Sequence, residues 1–423
     1  MRKIIVNIAT SGGLSLEPMA VSIGVTKRPA PKGFHGVPKL SRSIDAKIFG
    51  RKTSFRCKRA VVPWFSADYS AEERMPATDK QLDKHRVEFF DRLTHEEVRD
   101  LATNPNLRTV QTARPVSSET WELLNQNLFA LRPDVELRVY GFYSSTCDLS
   151  FLRGMSNVCR LSADCLRRAV GIEHLAALEN LEELHVDVFS LQNFDFLSFL
   201  PSGLKSLTLG PTKSKKPHLK GLGRFHSLRK LCLAGQQNGI AVVADLQGLE
   251  QVRLRGISTP DLDYVSSLPR LWSLDILLGS VRNLSAISGK ESVKYLGLCR
   301  IRELSDISVI SSLAGLQCLD LRELRNVTDI PDLSRLAKLR KVVLDHMKGL
   351  KDVSAIGKAP ALEEFLHIAA QGFLPKPYWD LLNKPSLKQA HVGFCSKRKN
   401  EEFEALIRQS GRSQYQRAEF VFQ

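Results

Sequence analysis

His185, with Asp164 and Asp187 one coil or less away and Glu183 beside it, is the grouping whose residue types could do chemistry. An imidazole among carboxylates can hold a divalent ion or serve general acid–base transfer. Thiol chemistry is the other candidate, with eight cysteines: Cys57, Cys147, Cys159, Cys165, Cys232, Cys299, Cys318 and Cys395. None forms a Cys-x-x-Cys pair, no converging ligand spacing appears, and scattered single thiols fit a reducing compartment. A third concentration is basic: Lys213, Lys215, Lys216 and Lys220 in PTKSKKPHLK at 211–220. It reads as a solvated loop, with contact to phosphate or an acidic partner as the sharper alternative.

What brings distant residues such as Asp164 and His185 together is a repeat. Its first apolar position recurs at Val158, Leu181, Leu204, Leu228, Leu249, Leu271, Val293, Leu316, Leu339 and Leu362, at intervals of 21 to 24 residues. The clearest copy is 316–338. There Leu316, Leu319 and Leu321 give Leu-x-x-Leu-x-Leu, a short strand whose alternate side chains point one way. Leu324, Val327, Ile330, Leu333 and Leu336 then recur every third residue, which suits a tight return path. Looser copies begin at Leu107, around Leu137 and Val139, and at Leu387, so about twelve or thirteen coils are expected. One coil cannot bury its apolar edge alone; a stack of them can.

These residues resemble the leucine-rich repeat family over roughly 107–395. TDIPDL at 328–333, SDISVI at 305–310 and KDVSAI at 351–356 are similar to the return segment of its internalin-like type, a repeat of about 22 residues. The resemblance implies an α/β solenoid, a curved horseshoe with a parallel β-sheet on the concave face and short helical or irregular segments on the convex face. The family places Asn or a small polar residue in the turn after the strand. Here Leu166, Phe189, Ile257, Ile301, Leu324 and Met347 stand there, so they are expected to pack inward while the turns satisfy their backbone groups by another route. The disulfide caps common in secreted members are missing from the cysteine pattern.

In each strand the positions between the leucines face the concave side, on strands about 4.8 Å apart. Glu136, Arg138 and Tyr140 form one such triplet, followed by Arg160, Ser162 and Asp164, then Glu183, His185 and Asp187. Two zones stand out: an acidic one at Asp164, Glu183, His185 and Asp187, and a mixed one through Arg253, Arg255, Asp275, Asp320 and Arg322. With Tyr140, Tyr295 and Asp345 these make the candidate partner-binding set. An open strand face neither desolvates nor encloses a reacting group, so no catalytic residue, cofactor or metal is expected. Leu366 and Ile368 also face this side and are expected under a C-terminal cap.

The net charge of +16 is not spread evenly: residues 1–60 hold thirteen Lys or Arg against Glu17 and Asp45, leaving only +5 for the rest. The domains read as a basic, disordered extension at 1–77, a helical cap with the first long repeat at 78–133, the array at 134–375, and a C-terminal cap at 376–423. In the first cap a helical pattern is expected from Thr78, with Val87, Phe90 and Leu93 on one face. Thr94-His95-Glu96-Glu97 is a capping box for a helix ending at Asn104-Pro105. A second helix over 118–131 aligns Trp121, Leu124, Leu128 and Leu131. Near the end, 376–385 reads as a short helix. Asn400 is expected to cap a final helix that carries Phe403, Leu406 and Ile407 and stops at Gly411, and AEFVF at 418–422 is expected to be a closing strand.

No apolar run approaches the roughly 20 residues that span a bilayer. The expected function is non-catalytic: a cytoplasmic monomer that holds a folded protein partner on its concave face. The resemblance adds a bacterial immunity protein or adaptor as the finer reading, and a secreted or injected effector as the alternative. Nucleic acid or an acidic membrane would be met only through residues 1–60.

Overall fold

The computed structural model describes residues 46–48, 51–53, 80–142, 145–214, 216–416 and 418–423. The chain divides into two units, Met1–Glu73 and Arg74–Gln423. In the first, Ala46–Ile48 pairs antiparallel with Arg51–Thr53. The remainder of the basic extension, with Cys57, lies outside the described residues.

In the second unit a 16-stranded sheet runs in chain order, and every pair from Arg86–Glu88 to Ser413–Gln414 is parallel. Repeat positions stack on their counterparts: Leu319 stands opposite Leu296 on one side and Val342 on the other. All eight apolar positions of the 316–338 coil are buried, from Leu316 to Leu336. Each such side chain contributes about 2 kcal/mol by leaving water, and only the neighbouring coils make that burial possible. The return path is mostly single 3-10 turns, as at Leu219–Arg224 and Ser308–Ser312. Three residues per turn match the spacing of three between apolar positions. Asx turns start several of them: Asp306 Oδ1 accepts from the Ser308 N–H (2.8 Å) and Asp352 Oδ1 from that of Ser354 (3.0 Å).

The turn after each strand replaces the asparagine ladder. Leu278, Arg300, Glu323 and His346 take left-handed backbone (φ 58°, 54°, 51° and 49°). That rotation aims each N–H at the last strand carbonyl of the following coil: Leu278 to Cys299 (2.9 Å), Arg300 to Arg322 (2.9 Å), Glu323 to Asp345 (2.8 Å), His346 to Ile368 (3.0 Å). Main chain thus satisfies main chain, and the next residue is free to be apolar. Leu166, Ile257, Ile301, Leu324 and Met347 are buried as expected; Phe189 is 47% exposed. A register shift after Val186 pairs Val188 with Leu166, so Val188 takes the inward place and alternation turns Phe189 outward.

The ends depart further from expectation. The described part of the stretch expected to be helical, from Lys80, is not. Lys80–Asp83 and Arg86–Glu88 form a hairpin, tightened by Asp83, which accepts from the His85 N–H (2.8 Å) and pairs with Arg86 (2.9 Å). Val87 and Phe89 are the buried pair, a period of two, while Phe90 is half-buried. The helix His95–Thr103 carries the expected capping box. The second helix, Ser118–Leu124, continues as a π-helical turn over Asn125–Phe129. The wider turn brings Leu128 and Phe129 inward and leaves Leu131 69% exposed. The final helix is Lys397–Ser410, and Ser396, not Asn400, occupies its N-cap position. Asn400 lies within the helix and its Oδ1 accepts from the Phe394 N–H (2.9 Å). Gly411 ends the helix in left-handed backbone (φ 69°). The closing strand is Ser413–Gln414; residues 418–422 form no strand.

Candidate functional site: the concave face

Alternation along Glu136–Tyr140, Arg160–Leu166 and Glu183–Val188 brings the first zone together. Its centre is an arginine outside the candidate set. Arg138 grips Asp164 with two parallel bonds (Nε–Oδ1 and Nη2–Oδ2, both 2.8 Å), and its Nη1 donates to Gln111 Oε1 (2.9 Å). Its guanidinium lies 4.4 Å from the Tyr140 ring centroid, and the Tyr140 hydroxyl donates to Glu88 (2.9 Å). Asp164 is only 7% exposed and its charge is matched. Glu183, 3.6 Å from Arg160, and Asp187 flank His185 on its strand, and all three are half-buried, so the acidic patch is largely reduced to Asp187. Asp187 packs against Gly210, where an added Cβ would come within 2.4 Å of the Asp187 Cβ. Burial holds the Asp187 carboxyl above the usual range; His185 opposes that shift and Asp164 adds to it. Among the described residues no three His, Cys, Asp or Glu side chains converge as metal ligands.

The second zone is more open. Arg253 Nε donates to Asp275 Oδ2 on the next coil (2.8 Å), and Arg322 holds Asp320 with two bonds (both 2.7 Å). Arg253, Arg255 and Arg322 are exposed, Asp320 and Asp345 half-buried, and Asp275 buried. Burial raises the Asp275 carboxyl, partly offset by Arg253. A depression of about 230 Å³ lies here, with Thr208, Cys232, Arg253, Asp275 and Tyr295 in its lining. Gly297 makes room for it: a Cβ there would sit 2.5 Å from Asp275 Oδ1 and 2.7 Å from the Tyr295 hydroxyl. Coil after coil, the same strand position looks out onto this face and its neighbours look into the stack.

The chain has the leucine-rich-repeat fold. No family model and no curated relative matches it. Among solved structures, an internalin (inlF) from Listeria monocytogenes aligns at 19% identity over 64% of this chain and 88% of its own, with a TM-score of 0.42. A leucine-rich-repeat protein of Leptospira interrogans aligns at 17% identity over 73% and 90%, TM-score 0.41. The functional domain of InlJ from Listeria monocytogenes aligns at 15% over 62% and 58%, TM-score 0.43.

Burial pushes the Cys147 and Cys318 thiols up to about 12, and burial with neighbouring acids raises Cys165. Lys213, Lys216 and Lys220 are exposed, as a solvated loop requires. Leu366 and Ile368 are half-buried. Three outward positions are more covered than strand alternation implies: Cys318 (5% exposed), Lys341 (8%) and Val343 (7%). Lys341 is paired with Glu364 (2.8 Å) and donates to the Tyr415 hydroxyl (2.9 Å), so part of the C-terminal region lies over this face.

Proposed function

We propose that the chain is a non-catalytic recognition protein whose concave face holds a folded protein partner through the Arg253, Arg255, Asp275, Asp320 and Arg322 zone. The observation that carries this reading is the arrangement of these charges. Exposed arginines are held in place by carboxylates of their own or the next coil, on a rigid sheet, beside a shallow depression rather than an enclosed cavity. Pre-ordered arginines beside an aromatic ring are the side chains that dominate protein–protein contacts. The finer role is that of an immunity protein or adaptor, acting as a monomer in a reducing cytoplasm. Nucleic-acid or acidic-membrane binding would rest on the charge of residues 1–60 alone.

The test is affinity capture with the full chain in parallel with Arg253→Glu and Arg322→Glu. A specific protein retained by the unaltered chain and lost from both variants supports the reading. Equal retention by all three, or no specific partner, overturns it.

A further inference from the structure

Trp272, Lys294, Gln317 and Arg340 each follow the first apolar residue of their coil, so they form a row along one rim of the concave face. Main-chain bonds stack them: Tyr295 N to Trp272 O (2.9 Å), Cys318 N to Lys294 O (3.0 Å), Lys341 N to Gln317 O (3.0 Å). This row already has an occupant. After Ser413–Gln414 the C-terminal residues return over earlier coils, and residues 420–423 lie over the row. Phe422 packs against Trp272 (centroids 5.1 Å) and the edge of Tyr295 (6.3 Å). The Arg340 guanidinium sits 4.7 Å from the Phe420 centroid.

Gln317 is the most informative contact. It is 3% exposed, and its amide pairs with the main chain of a single residue in both directions. Nε2 donates to the Gln423 oxygen (2.6 Å) and Oε1 accepts from the Gln423 N–H (2.8 Å). Lys294 Nζ donates to the same oxygen (2.8 Å), and Arg340 donates to the Val421 oxygen. Side chains of the solenoid thus read the backbone of an extended segment, while alternate aromatic side chains face inward. Val421, between them, is 72% exposed. This is how an extended peptide is recognised, with main-chain bonds for affinity and alternate side chains for selectivity. The repeat leucines point the other way, into the coils, so the segment adds nothing to the core. Its removal would leave the Gln317 amide without these partners, a cost that an incoming peptide of the same form would offset.

We propose that this row is a peptide-binding groove for a partner's extended segment bearing aromatic residues two apart, and that residues 418–423 are a displaceable internal occupant. The groove shares only Tyr295 with the charged set above, and the proposal does not depend on the folded-partner reading.

The experiment uses the full chain, unaltered and as the Phe420→Ala/Phe422→Ala double variant. The probe is a fluorescein-labelled peptide of sequence AEFVFQ, blocked at both ends, read by anisotropy. An occupied groove lowers apparent affinity by the fraction of time it is open, so the double variant is expected to bind at least about tenfold more tightly than the unaltered chain. Adding Gln317→Ala to the double variant abolishes that gain, and an AEAVAQ probe does not bind. Equal affinity for both chains, or no binding to the folded double variant, overturns the proposal. A double variant that fails to fold also counts against it, because a displaceable segment is dispensable for folding. Hydrogen exchange on the unaltered chain gives an independent check: amides of 418–423 are expected to exchange far faster than those of Tyr295–Cys299 and Cys318–Arg322, and exchange in step with those strands overturns the proposal.

Discussion

Each charged zone of the concave face holds an arginine at the middle outward position of its strand, paired with an aspartate of the next coil, yet the two differ in what is left to offer a partner. In the first, Arg138 spends its guanidinium on Asp164, Gln111 and the Tyr140 ring, and the side chains of the ion pair are only 21% and 10% exposed. In the second, Arg253 uses one nitrogen on Asp275 and its side chain remains 62% exposed. Neighbouring coils decide the difference. Gln111 from the first long coil bonds Arg138, and Glu88 fixes the Tyr140 ring against it, whereas Arg253 faces Gly297 two coils on and a depression. An arginine on a repeat strand is thus a structural clamp or a contact anchor according to what the adjacent coils place beside it.

The comparison predicts unequal costs. Arg138→Ala leaves Asp164 buried without its counter-charge, and should destabilise the fold by about 3 kcal/mol, read from the midpoint of urea unfolding. A smaller loss would mean that the first zone is as open as the second. A polar pair wholly inside the stack sharpens the scale. His367 occupies an inward position, is 1% exposed, and its Nδ1 lies 2.8 Å from the Tyr378 hydroxyl. Burial lowers its pKa from 6.5 to about 4. The unfolded chain therefore binds the proton first. Its contribution is intact above pH 6.5 and lost as the pH falls toward about 4, at most about 3 kcal/mol in all. Unfolding midpoints measured from pH 7 down to pH 5 should fall, and the fall should be shallower in His367→Gln. An identical slope in both proteins would assign the effect to other groups. The smallest effect is expected at Arg253→Ala, about 1 kcal/mol on stability, because the Arg253 side chain is 62% exposed and gives the buried Asp275 carboxylate only one bond. A loss equal to that of Arg138→Ala would erase the distinction between the zones.

Much of this was legible before any coordinates. The repeat spacing identified the stack, its inward leucines, its tight return path and the outward triplets, and Thr94 with Glu97 marked a helix start that the fold contains. The hairpin at 80–88 was misread because Val87, Phe90 and Leu93 fit a helical face, while Val87 and Phe89 fit a strand equally well. Over so short a run the two periods are not distinguishable. Arg138 was visible as an outward residue, but its bond to Asp164 was not. The Trp272, Lys294, Gln317 and Arg340 row was overlooked, although a tryptophan in a row otherwise charged or amide-bearing, set beside the alternating AEFVF, was an available signal.

What the sequence determined by itself is everything set by local period: which residues of a coil face in, which face out, and how often the pattern returns. Tertiary structure alone decided the relations between coils. These are the left-handed turns that hand an N–H to the next strand, the coupling of Arg138 to Asp164, and the return of residues 420–423 across a rim whose Gln317 lies 106 positions earlier. The physical reason is that periodicity encodes the direction of a side chain from its own backbone, whereas a hydrogen bond or an ion pair depends on where a second backbone lies, and that is known only once the coils are stacked.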